Sequence, residues 1–189
     1  MLEKIIFYDK RLFVFLNNLG SENYDSLWLI ITKQINWLPF FLLIFYLLFK
    51  KLGYKNLLIL FVFVAFLILV CDQSANFFKT TFQRLRPCND PDLSGLIRFV
   101  KSSSSFSFYS GHATNSMASM TFLYLILRKF YSNAYWVFIF PVVFAYSRIY
   151  LGLHFPIDIL TGYAFGLFYG ILFFKLYKAL LIKYPQFYY

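Results

Sequence analysis

The chain has little charge, and few of the residues that hold metals or crosslinks. Charged side chains make up 14% of its 189 residues, and only 8 of them are acidic. A water-facing surface needs more charge than that, so the bilayer must solvate part of the chain. There are 2 cysteines. Cys71 sits inside an apolar run and Cys88 in a polar stretch, which makes neither a disulfide framework nor a metal motif. Carboxylates do not run together either, so two-metal phosphoryl transfer finds no ligand set, and no cofactor or metal is expected. The start, MLEKIIFYDKRLFVFLNNLG, mixes charge with apolar residues and lacks the clean core of a cleaved signal peptide. No internal repeat is visible.

Apolar and aromatic residues abound. Hydrophobic side chains reach 60% and aromatics 24%, with 27 Phe and 16 Tyr. The net charge of +10 does not point to nucleic acid, because the cations flank apolar runs instead of clustering. Residues 3–19 read as an amphipathic helix, with Ile5, Ile6, Leu12, Phe13, Leu16 and Leu19 apolar and Glu3, Lys4, Asp9, Lys10 and Arg11 polar. Such a helix lies on a membrane, which makes 1–26 an interfacial segment. Apolar runs then place spans within Leu27–Phe49 (firmly from Trp37), Leu57–Phe78, Ala113–Leu127, Trp136–Tyr146 and Pro156–Leu176. The second of these would reach about 33 Å, enough to cross the hydrocarbon core. The expected fold is all-α: one domain over 1–189, a polytopic transmembrane bundle of about five spans plus the N-terminal helix.

Lys50, Lys51, Lys55, Arg128, Lys129, Lys175, Lys178 and Lys183 fall on one side of this topology, which the positive-inside rule makes cytoplasmic. The long polar interval 79–110, including the run SSSS, then faces outward with the 147–156 turn. It reads as an ordered loop over a site. The cations on that outer side oppose the rule, a conflict that an anionic ligand would relieve.

Three polar clusters lie at helix ends on this face. In KTTFQRLRP, Lys79 and Arg86 are spaced for one helical face, with Pro87 marking the helix boundary. Snorkelling cations at the interface would also explain the pair. In YSGHA, Gly111 lets backbone approach a ligand, and the helix that follows offers free N–H groups to phosphate. Ser110 adds a hydroxyl and His112 a proton donor, although a serine N-cap beside an incidental histidine reads equally well. In YSRIYLGLHFPID, Arg148 supplies a fork of donors suited to phosphate. His154 and Asp158, at i and i+4, would stack carboxylate beside imidazole on a helical turn. The carboxylate would fix the tautomer and free the other ring nitrogen as base or nucleophile. A polar turn whose His and Asp satisfy each other is the alternative. Both histidines of the chain fall in these clusters.

Lys79-x6-Arg86-Pro87, Ser110-Gly111-His112 and Ser147-Arg148-x5-His154-x3-Asp158 resemble the three-part signature of the type-2 phosphatidic acid phosphatase superfamily. The apolar runs match its membrane branch, not its soluble phosphatases and haloperoxidases. The resemblance implies that His154 attacks phosphorus, oriented by Asp158, and that His112 protonates the leaving oxygen. It implies that Lys79, Arg86, Arg148, Ser110 and the Gly111 N–H hold the phosphoryl oxygens. Tyr109 departs from the proline usual before Ser-Gly-His. The implied partners are the bilayer and a membrane lipid phosphate. The substrate expected first is undecaprenyl diphosphate, at the outer face of a bacterial inner membrane. Lipid A and phosphatidylglycerophosphate are the alternatives. A non-catalytic anionic-lipid binder or transporter is the reading from another class, which the His–Asp pair disfavours.

Overall fold

The computed structural model describes residues 1–184; the end of the expected domain, 185–189, lies outside the described residues. Among the described residues all regular structure is helical. The helices are α1 (Leu2–Asn18), α2 (Asp25–Ile31), α3 (Leu38–Phe82), α4 (Gly111–Leu127), α5 (Ile139–Tyr150) and α6 (Pro156–Lys183). Prolines sit where a missing N–H costs nothing: Pro39 in the first turn of α3, and Pro156 opening α6.

The long α3 is two helices joined at Gly53, whose φ of 70° suits glycine. Phe45 and Phe61, on either side of Gly53, meet with ring centroids 4.4 Å apart, so the two arms lie side by side. A single glycine therefore makes the break expected over Lys50–Lys55. The first long apolar helix starts at Leu38 and not at Leu27, because polar Lys33, Gln34 and Asn36 interrupt the run and leave α2 as a separate short helix. α2 packs on α5, with Trp28 stacked on Tyr150 at 5.1 Å.

The helix α4 is the centre of the molecule, with Ala113, Thr114, Met117, Ala118, Met120 and Phe122 among its buried residues. Its closest neighbour is α6, approached through Gly162, Gly166 and Gly170. A Cβ at these positions would come within 2.7, 2.8 and 2.6 Å of α4 or its cap residue Ser110, including the carbonyls of Ser110, Thr114 and Ala118. Small residues four apart let helices come this near where apolar lipid supplies no hydrophobic drive to associate. The outward faces of α3 and α6 are apolar, with Val62, Phe66, Leu69, Leu160 and Phe168 exposed. Both helices are long and apolar enough to cross a bilayer, and Ala134–Tyr150, which contains α5, is apolar but shorter.

The amphipathic α1 exists but does not point its whole apolar face away from the protein. Phe13 is fully buried against Phe155, centroids 5.3 Å apart, while Ile5, Ile6 and Leu12 remain exposed. Asn17 fastens the helix: its amide donates to the carbonyls of Ile149 and Tyr150, and its oxygen accepts from the Arg98 N–H. The interval 79–110 is ordered by short 3-10 turns at Pro87–Asn89 and Pro91–Leu93. Cys88 N–H donates to the Gly152 carbonyl and Asn89 donates to the Ser103 carbonyl, which ties the loop across the α5–α6 turn and gives the serine run a structural place.

Candidate active site

His154 owes its position to the end of α5. Gly152, at φ 81°, turns the chain back, and the N–H groups of Leu153 and His154 donate to the Arg148 carbonyl at 2.9 and 3.3 Å. The imidazole is buried, at 1% exposure. Its Nδ1 lies 3.6 Å from Asp158 Oδ2 and 3.4 Å from Ser107 Oγ, and its Nε2 lies 3.3 Å from Arg86 Nη1. This pairing is not the helical stack expected from the i, i+4 spacing, because His154 precedes α6. Asp158 turns back over the helix start as a cap, accepting from the Phe155 N–H at 2.9 Å. Ser107 also donates to Asp158 Oδ2, and Arg84 Nη1 donates to Oδ1 at 2.8 Å.

Arg86 likewise departs from expectation. The helix carrying Lys79 stops at Phe82, where Gln83 takes a left-handed φ of 47°. Arg86 therefore lies in extended backbone before Pro87 and not on a helical face, as a residue preceding proline should. Its guanidinium is oriented by the carbonyls of Ser105, at 2.8 Å, and Leu153, at 2.9 Å. The loop, not helical spacing, brings it to the site.

The remaining candidates converge here. His112 lies among the cations Arg148, Lys79 and Arg86, with the His154 ring close by. A Cβ on Gly111 would lie 4.0 Å from Lys79 Nζ, so the ammonium sits over the start of α4. Arg148 is buried, donates from Nη1 to Thr32 Oγ1 at 2.7 Å, and leaves Nε without a partner among the described residues. Ser110 caps α4, its Oγ accepting from the Ala113 N–H at 3.4 Å, and its own N–H donates to the Asp158 carbonyl at 3.1 Å. Its hydroxyl is thus turned onto its own helix as well as bordering the site.

The electrostatics favour an anion. Lys79, Arg86 and Arg148 take part in none of the ion pairs found among the described residues. Burial holds the Arg86 guanidinium below its ordinary range. Several desolvated cations without a carboxylate in direct contact favour an anion joining them. Burial also pushes His154 down to about 3 despite the opposing pull of Asp158, so its ring is neutral at pH 7. With Nδ1 facing carboxylate and hydroxyl, Nε2 carries the lone pair toward the cations.

Three residues escaped the motif reading. Ser107 and Arg84 contact Asp158 directly, and Arg84 reaches on with Nη2 to Asp9 Oδ2 at 2.6 Å. Asp9, from α1, also accepts the Ile157 N–H at 2.9 Å. Arg84 stands inside KTTFQRLRP and was visible as a third cation of that cluster. Asp9 gave no signal beyond being a carboxylate on an amphipathic helix. No group of His, Cys, Asp and Glu among the described residues is arranged to hold a metal ion.

Comparison with known proteins agrees with this geometry. Residues 56–181 match the family described as the PAP2 superfamily. A lipid A 4'-phosphatase of Porphyromonas gingivalis is 34% identical over 180 residues, covering 93% of this chain and 75% of that protein. A lipid A 4'-phosphatase of Bacteroides thetaiotaomicron is 34% identical over 182 residues, covering 92% of this chain and 79% of that protein. Among solved structures, the transmembrane PAP2-type phosphatidylglycerolphosphate phosphatase of Bacillus subtilis superposes with a TM-score of 0.68 at 23% identity, over 96% of this chain and 88% of that one. Aquifex aeolicus LpxE superposes with a TM-score of 0.63 at 24% identity, over 87% of this chain and 93% of that one. These two likenesses establish the fold.

Proposed function

The chain belongs to the PAP2 superfamily, in its membrane lipid phosphatase branch, and from that membership we propose that it removes a phosphate from lipid A. The enzymes of this branch are hydrolases that need no metal. Two relatives named for lipid A shift the reading from undecaprenyl diphosphate, the substrate first expected, to its alternative. The observation that carries the catalytic reading is the buried His154, with Nδ1 against Asp158 and Ser107 and Nε2 against Arg86.

Lys79, Arg86, Arg148 and the N–H groups opening α4 hold the phosphoryl oxygens. This is the positioning and charge stabilisation on which phosphoryl transfer depends. Nε2 of His154 attacks phosphorus, the P–N bond forms, and the bond from phosphorus to the sugar oxygen breaks. His112, which takes up a proton as the phosphate anion offsets the cations around it, gives that oxygen its proton. It then takes a proton from water, which attacks the phosphohistidine and releases inorganic phosphate and a neutral His154. Asp158 keeps Nδ1 protonated throughout. Ser110 acts as the helix cap that fixes the phosphate-binding N–H groups. The two arms of α3 with α4, α5 and α6 form five spans, and the site opens on the periplasmic side of a bacterial inner membrane.

The test is phosphate release by the purified protein from lipid A, undecaprenyl diphosphate, phosphatidylglycerophosphate and a soluble phosphate ester. Release from lipid A that survives EDTA and is lost in His154→Ala is expected. Preferred release from undecaprenyl diphosphate would restore the carrier-lipid reading. Full activity of folded His154→Ala would refute the nucleophile.

A further inference from the structure

Beside the catalytic groups lies a cavity of about 650 Å³, bounded by α3, α4 and α5. At one end it meets Lys79, Gly111 and His112, and its other end is walled by Phe41, Phe45 and Phe140. An apolar end suits acyl chains. The part between does not fit that role, because it is lined by Asp72 and Asn76 of α3 and by Asn115, Ser116 and Ser119 of α4.

Asp72 stands two helical turns before Lys79, on the same face and about 10 Å further along α3. Asn115 stands one turn beyond His112, about 5 Å along α4. Asn115 Nδ2 donates to Asp72 Oδ1 at 2.7 Å, which joins α3 to α4 in the cavity wall. The pair is left with unused acceptors. Asn115 Oδ1 is buried without a partner, and Asp72 enters no ion pair among the described residues. Ser116 has spent its proton on the Ala113 carbonyl, so it too offers only an acceptor. Asp72 is exposed on the cavity wall, so its remaining acceptors are open to a ligand, and the unfilled, buried Asn115 Oδ1 costs about 1–3 kcal/mol.

We propose that Asp72 and Asn115 form a substrate subsite that selects lipids carrying hydrogen-bond donors, hydroxyl or amide N–H, within about 5–10 Å of the transferred phosphate. The inference rests on the phosphatase reading of the neighbouring site. Its chemical class is an amide-linked, hydroxyl-bearing lipid phosphate. Polyprenyl chains bring no donor to this stripe. Ester-linked chains bring only carbonyl oxygens, which a carboxylate repels.

Ceramide 1-phosphate and phosphatidic acid of matched chain length separate these classes: both are two-chain phosphomonoesters, but only the first has an amide N–H and a hydroxyl near the phosphate. Wild type should favour ceramide 1-phosphate by about tenfold in kcat/KM, as a hydrogen bond to a charged acceptor allows. Asp72→Asn is isosteric and keeps an oxygen for Asn115 Nδ2, but it turns an NH₂ toward the ligand. It should erase or invert the preference, and Asn115→Ala should reduce it. Phosphate release with the same substrate ratio in wild type, Asp72→Asn and Asn115→Ala would overturn the subsite and leave the phosphatase reading standing. No release from these lipids or lipid A by folded wild type would overturn that reading, and this inference with it.

Discussion

Replacing Arg84 with methionine should damage the protein more than replacing either carboxylate it holds. Arg84 reaches Asp158 at 2.8 Å and Asp9 at 2.6 Å, and neither carboxylate side chain has any exposed surface. Its guanidinium also lies 4.0 Å from the centre of the Phe155 ring. Removing one partner of a buried ion pair typically costs 3–5 kcal/mol. Because the Arg84 side chain is 22% exposed, water recovers part of that loss, and about 3 kcal/mol is expected. For a chain of this size that lowers Tm in detergent by about 6–12 °C. Asp9→Asn should cost only about 1 kcal/mol, because an amide oxygen can still accept the Ile157 N–H.

The double variant is the decisive measurement. Once Asp9 is neutral, losing Arg84 strands one buried carboxylate instead of two. The double variant should therefore be more stable than the summed single costs imply, by about 1 kcal/mol or more. Activity separates positioning from bulk stability. Asp158 retains Ser107 and the Phe155 N–H, so Arg84→Met should lower kcat by about tenfold, as loss of an outer partner does elsewhere, with KM little changed. Strict additivity of the two stability costs, or Arg84→Met melting with wild type, would refute the network.

Two further expectations concern the same core. Burial pushes the His154 imidazole down to about 3 in the folded protein, against 6.5 for an ordinary imidazole. Between those values the unfolded chain binds the extra proton, so stability falls as pH drops from about 6.5 toward 3, by up to about 5 kcal/mol from this group. Melting curves of His154→Gln should be flatter across that window, and an unchanged slope would contradict a buried neutral imidazole. Gly166→Ala should cost about 1–3 kcal/mol, because its Cβ would stand 2.8 Å from the Thr114 carbonyl and 3.0 Å from the Ala118 N, backbone that cannot step aside. Wild-type thermal stability of that variant would mean that α4 and α6 are not in backbone contact.

The helices were legible wherever an apolar run is bounded by proline, glycine or charge. The start of α6 and the break between the arms of α3 follow from Pro156 and Gly53, whereas α6 runs on past the expected Leu176 to Lys183. The end of α3 was not legible. Pro87 suggested a helix running to Arg86, but the chain leaves the helix at Gln83, a left-handed residue that is not glycine. The residues that the fold brings together around His154 were legible because their types and spacings form a signature, yet two of the spacings act for other reasons than helical periodicity. The loop, not a helical face, delivers Arg86, and a helix cap, not an i, i+4 stack, aligns Asp158. Asp9, Arg84 and Ser107 were missed because their partners lie far along the chain. The Arg84–Asp9 bond closes 75 residues and the Ser107–Asp158 bond 51, and no local pattern encodes either.

The part played by Asp9 follows from a conflict within the proposed mechanism. Asp158 must stay close to His154 to fix its tautomer, yet a free carboxylate beside Lys79, Arg86 and Arg148 would compete with phosphate for them. The fold gives Asp158 partners of its own. Arg84 takes one oxygen, while Ser107 and the Phe155 N–H take the other. Arg84 would by itself add another cation to a site already rich in them, and Asp9 offsets that charge from the opposite side of the guanidinium. The pair of carboxylates and one arginine leaves Asp158 engaged and the phosphate-facing cations uncommitted. On this account α1 completes the site electrostatically, although it carries none of the three motifs. A chain lacking α1 would hold Arg84 without its counter-ion and Ile157 without its acceptor, and would bind phosphate with its His–Asp pair poorly fixed.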